Sequence, residues 1–192
     1  MTSAPVSGGP VVVLIGSPGA GKSSVGRRVS RQLDLPFLDT DAAIEAEAGM
    51  SVSDIFVTEG ESSFRDREAR AVSQALAEHS GVLSLGGGAV LRPETQQALQ
   101  GHRVVWLRVS LSDAASRVGM NTARPLLLGN VRATLGALMD ERSPIYESVS
   151  TQVVDTTGKA LRDVVDEVVG LLTPDAGPVG ETATDPERRE GA

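Results

Sequence analysis

Residues 16–23 read Gly-Ser-Pro-Gly-Ala-Gly-Lys-Ser, directly after the apolar run VVVLI at 11–15 and directly before a stretch of helical period. This is G-x-x-x-x-G-K-[ST] in its required strand, loop and helix context. Few short patterns constrain a fold so tightly. The glycines let the backbone curl so that successive N–H groups and a helix N-terminus face a polyphosphate. Lys22 then reaches the β and γ oxygens, and Ser23 offers its hydroxyl to Mg²⁺. An ordinary glycine-rich turn carrying an accidental lysine does not explain why the whole motif and both flanking elements agree.

A phosphate loop of this kind demands a strand before it and a helix after it, and the rest of the chain repeats that alternation. Short apolar runs at 11–15, 82–85, 103–109 and 152–154, with a weaker one at 37–38, alternate with helical patterns at about 22–33, 61–79, 93–99, 112–118, 131–141 and 160–172. That order is the pattern of an α/β protein with a parallel sheet. VVVLI and VVWLRV are apolar on both faces, as expected where helices cover both sides of the sheet. The ends, 1–9 and 173–192, are rich in Pro, Gly, Thr and charge, so they read as disordered tails around one domain at 10–172.

The balance of charge limits the partners. A formal net charge of -7 lacks the basic footprint of a nucleic-acid or anionic-membrane binder, so any anion must be held by a local site. No run approaches the length of a membrane span. With no cysteine at all, disulfides, thiolate catalysis and cysteine-held metals are excluded, and a cytoplasmic location is the expectation. There is no N-K-x-D guanine-reading motif, no apolar strand ending in aspartate as in motor ATPases, and no internal repeat. Small-molecule and nucleoside-monophosphate kinases are the natural group left.

Further motifs lie downstream. Asp39 and Asp41, in LDTD, fall just past a short strand, at the sheet edge where open α/β folds bind ligands. Asp41 could instead cap a helix starting at Ala42. Arg65 and Glu68 lie three apart on one helix face, which by itself is most often an exposed ion pair. Phe56 and Phe64 suit either a ligand wall or the core. Gly86-Gly87-Gly88 follows the strand VLSL, where three glycines suit a close backbone approach to a ligand or a tight turn. That strand carries no acidic residue, so the metal-side aspartate must come from Asp39.

In order, GSPGAGKS, LDTD, GESSFRDRE at 60–68, LGGGAV at 85–90, NTARPLL at 121–127 and ERSPIY at 141–146 resemble the shikimate kinase family over about residues 11–172. The resemblance implies a three-layer α/β/α fold of the nucleoside-monophosphate-kinase type, with a central five-stranded parallel sheet. It implies transfer of the γ-phosphate of ATP to shikimate, with one Mg²⁺ as cofactor; a monomer is the default, since no large exposed apolar patch is evident in the sequence. By the same resemblance, Pro18, Gly19, Ala20, Gly21, Lys22, Ser23, Ser24, Arg117 and Arg124 bind ATP, with Arg117 flat on the adenine. Ser23 and, through water, Asp39 serve the metal. Asp41, Arg65, Gly86, Gly87, Gly88 and Arg142 hold the acceptor, with the arginines on its carboxylate and Glu68 orienting Arg65. Lys22, Asp41 and Arg124 carry the chemistry, Arg124 from a lid at about 119–131. Asp155-Thr156-Thr157 resembles the adenine loop, with Lys159 as an outer contact. The readings kept beside this one are another small-molecule kinase, such as a gluconate kinase, and a nucleotide switch without turnover.

Overall fold

The computed structural model describes residues 8–119 and 131–173. Most of both expected tails, Arg124 and nearly all of the expected lid lie outside the described residues.

Five strands, β1 (Val12–Ile15), β2 (Phe37–Asp39), β3 (Val82–Ser84), β4 (Val104–Arg108) and β5 (Gln152–Asp155), form one sheet in the order β2-β3-β1-β4-β5. All its pairings are parallel. The central strand, β1, is buried on both sides, and its alternate residues feed two separate cores. Val12 and Leu14 pack with α1 (Lys22–Gln32) and α8 (Leu161–Leu172). Val13 and Ile15 face α4 (Gly60–Glu78) and Tyr146 of α7 (Val131–Val149). This is the expected α/β/α sandwich: strand alternation sends side chains to opposite faces, and each face needs its own helical cover. The remaining helices are α2 (Thr40–Ala48), α3 (Val52–Thr58), α5 (Pro93–Ala98) and α6 (Leu111–Gly119), with a 3-10 turn at Ala89–Leu91. Among the described residues, no helix is long and apolar enough to cross a membrane.

The helices differ from expectation in two places. Helices α2 and α3 fill the stretch between β2 and α4, where the apolar periodicity marks no helix and the one start considered, at Ala42, came only from a capping role open to Asp41. Helix α2 buries only Thr40 and Ile44, so it carries little periodicity, and it is defined by its ends instead. Asp39 caps its start, and Gly49, at φ 67°, stops it in a left-handed turn. Helix α3 is short and rich in β-branched residues, and it is held by Ser51 Oγ accepting from the Asp54 N–H at 3.1 Å. Helix α7 also runs to Val149 instead of stopping near 141. Pro144 deprives one carbonyl of its donor, yet Tyr146, Ile145 and Val149 pack against the α4 side of the sheet and carry the helix on.

Candidate active site

The C-terminal ends of β1, β2 and β3 open into adjacent turns, and these turns build the site. Leaving β1, the chain adopts positive φ at Gly16, Gly19 and Gly21, the last of which is the N-cap of α1. A side chain at Gly19 would run into the backbone of Ala114. Lys22 Nζ donates to the carbonyls of Gly16 (2.8 Å) and Ser17 (3.2 Å), which folds the lysine back over the loop. Pro18 and Ala20 are buried, whereas Ser24 is exposed on the first turn of α1.

Next to the loop, Ser23 Oγ donates to Asp39 Oδ2 at 2.6 Å. The other oxygen of Asp39 accepts from the N–H groups of Asp41 (3.1 Å) and Ala42 (3.4 Å). The helix cap therefore belongs to Asp39, and the helix begins at Thr40, two residues before the Ala42 start considered from sequence. This leaves Asp41 in the first helical turn, where its carboxylate leans over Gly86: a β-carbon there would collide with Asp41 Oδ1 and Glu68 Oε1. The Gly86 N–H is taken by Thr40 Oγ1 at 3.0 Å.

Two of the three glycines after β3, Gly86 and Gly88, are required by close approach. The space of a Gly88 side chain is filled by the Arg65 guanidinium, while Gly87 faces the phosphate loop, where an added β-carbon would stand 3.4 Å from Pro18 Cδ. Arg65 is 9% exposed, so it is not the exposed ion-pair member that its spacing alone suggests. Its NH1 donates to Glu68 Oε2 at 2.6 Å, and NH2 and Nε reach Glu61 Oε1 at 3.2 and 3.4 Å. The guanidinium also lies over the rings of Phe64 and Phe56, at 5.4 and 5.9 Å from their centroids. Burial acts to lower the Arg65 pKa, but the neighbouring Glu68 carboxylate prevails and raises it. Glu68, 2% exposed, has its own pKa raised by burial, with Asp41 adding to the rise and Arg65 and Arg142 opposing it.

Arg142 arrives at the same turn from α7. It is 6% exposed, NH1 donates to the Gly87 carbonyl at 3.2 Å, and its buried Nε has no hydrogen-bond partner. Two arginines far apart in sequence thus meet across adjacent peptides of one glycine turn, with Asp41 and Glu68 between them. The sequence reading passed over Tyr146, whose hydroxyl donates to the same Gly87 carbonyl at 2.5 Å. Its position four residues after Arg142 on one helix face was the available signal.

On the other side of the phosphate loop, Arg117 bridges two segments. Its NH1 donates to the Gly19 carbonyl (3.2 Å) and Thr156 Oγ1 (3.3 Å), and NH2 donates to the Thr156 carbonyl (3.1 Å). The loop after β5 is tied down by Asp155, which accepts from the Thr157 N–H at 2.8 Å and from Arg108 at 2.9 Å. Lys159 pairs with Glu167 of α8 at 2.6 Å. Among the described residues, no three His, Cys, Asp or Glu gather as a metal cage. The oxygens of Ser23 and Asp39 nevertheless suit a hard cation that takes its other ligands from water and phosphate.

This geometry has counterparts among known proteins. The sequence model of the shikimate kinase family matches residues 18–173. A curated shikimate kinase from Thermobifida fusca is 53% identical over 172 residues, spanning 90% of this chain and 99% of its own. The solved structure of shikimate kinase from Acinetobacter baumannii in complex with shikimate superposes with a TM-score of 0.82 at 32% identity, covering 86% of this chain and 93% of that one. A gluconokinase from Sinorhizobium meliloti, at TM-score 0.50 and 19% identity, shares the fold alone. With a phosphate loop backed against a glycine turn that two buried arginines share, and with relatives matching over nearly their whole lengths, this chain belongs to the shikimate kinase family.

Proposed function

We propose that this chain transfers the γ-phosphate of ATP to the 3-hydroxyl of shikimate, giving shikimate 3-phosphate and ADP on the way to chorismate and the aromatic amino acids. The observation that carries the reading is the closeness of the glycine turn to the phosphate loop: a β-carbon added at Gly87 would stand 3.4 Å from Pro18 Cδ and 3.5 Å from the Gly16 carbonyl oxygen. It sets the pocket formed by Arg65, Arg142 and Asp41 directly against the phosphate loop, so that a hydroxyl held in one half faces a terminal phosphate held in the other.

In this reading the loop N–H groups and Lys22 bind the β and γ phosphates, and Lys22 turns from the loop carbonyls onto the developing charge. Ser23 and Asp39 would hold Mg²⁺, which when bound neutralises charge between the two phosphates. Asp41 sits where it can accept the proton of the acceptor hydroxyl. The unpartnered Nε of Arg142 and the fork of Arg65 grip a ring carboxylate, which needs charge-assisted bonds in a fixed plane once it leaves water. Arg117, held between Gly19 and Thr156, borders the adenine, and Arg124, by the family resemblance, serves the γ-phosphate.

An ADP-release assay with shikimate, with gluconate and with no acceptor tests the reading. ADP release is expected with shikimate alone. Release with gluconate instead would assign another sugar-acid kinase, and release in neither arm would leave a nucleotide switch. The proposal extends to a cytoplasmic monomer. Support comes from the cysteine-free sequence and from the scatter of exposed large apolar residues, Val11, Met50, Val57 and Val153, which form no run along the chain. Light scattering after gel filtration would check the monomer.

A further inference from the structure

The Gly87 carbonyl accepts from two side chains of one helix, Arg142 NH1 at 3.2 Å and the Tyr146 hydroxyl at 2.5 Å. A backbone carbonyl has two lone pairs, and at Gly87 both are taken by side chains of the same helix. The Tyr146 ring is 1% exposed and packs at 5.8 Å, centroid to centroid, on Trp106 of β4, so the hydroxyl is held by the core of the sheet. Burial pushes its pKa up to about 12, which keeps it protonated and able to donate at any working pH.

The peptide joining Gly87 to Gly88 is planar and trans, so fixing its carbonyl fixes the Gly88 N–H in the opposite direction. Glycine imposes no such restraint itself, since it has the widest choice of backbone angles. Neither the Gly87 nor the Gly88 N–H has a hydrogen-bond partner among the described residues. The turn therefore carries open donors on a backbone that its own sequence leaves loose.

We propose that Tyr146 is a positioning residue for the acceptor: its hydroxyl clamps the Gly87 carbonyl, thereby aiming the Gly87–Gly88 peptide and its N–H at the acceptor in the pocket of Arg65 and Arg142. The inference rests on the shikimate-phosphorylating reading, and it assigns Tyr146 an effect on the acceptor side and none on the nucleotide side. The Tyr146 hydroxyl donates to the turn after β3, on the acceptor side of the site.

Tyr146→Phe removes only the hydroxyl and keeps the ring against Trp106. It is expected to raise the KM for shikimate about tenfold, the scale of one hydrogen bond, with the KM for ATP unchanged within twofold. A shikimate KM within twofold of the parent overturns the proposal, as does a parallel rise in both KM values, which marks a merely structural role. A second measurement does not depend on the variant folding. The chain has one tyrosine, so growth with 3-fluorotyrosine labels Tyr146 alone and gives a single fluorine NMR signal. That signal is expected to shift on adding shikimate and to stay in place on adding ADP. An immobile signal in a labelled enzyme that turns shikimate over overturns the proposal. A parent chain without shikimate turnover instead sinks the reading beneath it, and the proposal falls for that separate reason.

Discussion

The two halves of the site are built by opposite methods. The phosphate loop is one unbroken stretch, 16–23, which presents backbone N–H groups through a run of left-handed glycines. The acceptor half draws Asp41 from α2, Arg65 and Glu68 from α4, three glycines from the turn after β3, and Arg142 with Tyr146 from α7. Its two arginines and Glu68 are buried charges, and Asp41 is half-buried. A backbone cradle tolerates many neighbours and recurs across many activities, whereas a pocket of buried charges works only when every contributor arrives together. The first half names a class of ligand, and the second chooses a molecule.

The comparison predicts different kinds of failure in the two halves. Lys22→Met should abolish turnover, a loss of about 10³-fold or more for a charge that acts on the transferred phosphoryl, while circular dichroism and melting stay as in the parent. Retained activity would show that the loop does not do chemistry. Asp41→Asn should lower kcat by about 10²-fold or more, the range of a positioned acid–base group. Since Asp39 and not Asp41 caps α2, the melting temperature should hold. A fall in melting with kcat preserved would move Asp41 from chemistry to structure.

Arg65→Lys sharpens the contrast, because it keeps the charge and loses the fork. The expected cost is about 1.5–3 kcal/mol in kcat/KM for shikimate, the scale of a hydrogen bond to a charged group, with ATP kinetics near normal. If both substrates suffer alike, the division into halves is wrong at α4.

The smallest effect lies at the edge of the nucleotide half. The Asp155 carboxyl is held below its usual range, first by the Thr157 N–H and then by Arg108. A depressed carboxyl pKa stabilises the fold at pH above the ordinary value, and that contribution is lost as pH falls through the depressed one. Below about pH 4, near the ordinary pKa of the group, melting of the parent should therefore fall more steeply than that of Asp155→Asn. Equal slopes in a melting series against pH would remove Asp155 from the loop's support.

The same contrast decides what could be read from sequence. The phosphate loop, the strands and most of the helices are local patterns, so they stand in the chain as they stand in the fold, although α7 runs past its expected end. The arginine pocket was reachable only through the ordered resemblance, since Arg65 with Glu68 looks by itself like any exposed helix pair. What stayed hidden were relations across space. Asp39 accepts from both Ser23 and the start of α2 because the end of β2 meets the first turn of α1, and no spacing records that. Tyr146 carries no charge, sits past a proline and contacts Gly87 only after α7 crosses the sheet. Helices α2 and α3 were missed because capping, and not an apolar stripe, defines them.

The glycine turn also bears on redesign. Side chains at Gly86 and Gly88 would strike Asp41, Glu68 and Arg65, so of this wall only Gly87, where a β-carbon would rest against Pro18, leaves room for a new side chain. Retargeting the enzyme to a different acceptor therefore works mainly through α4 and α7, which carry Arg65, Glu68 and Arg142. A library confined to those two helix faces would sample new specificities without disturbing the backbone that joins donor and acceptor.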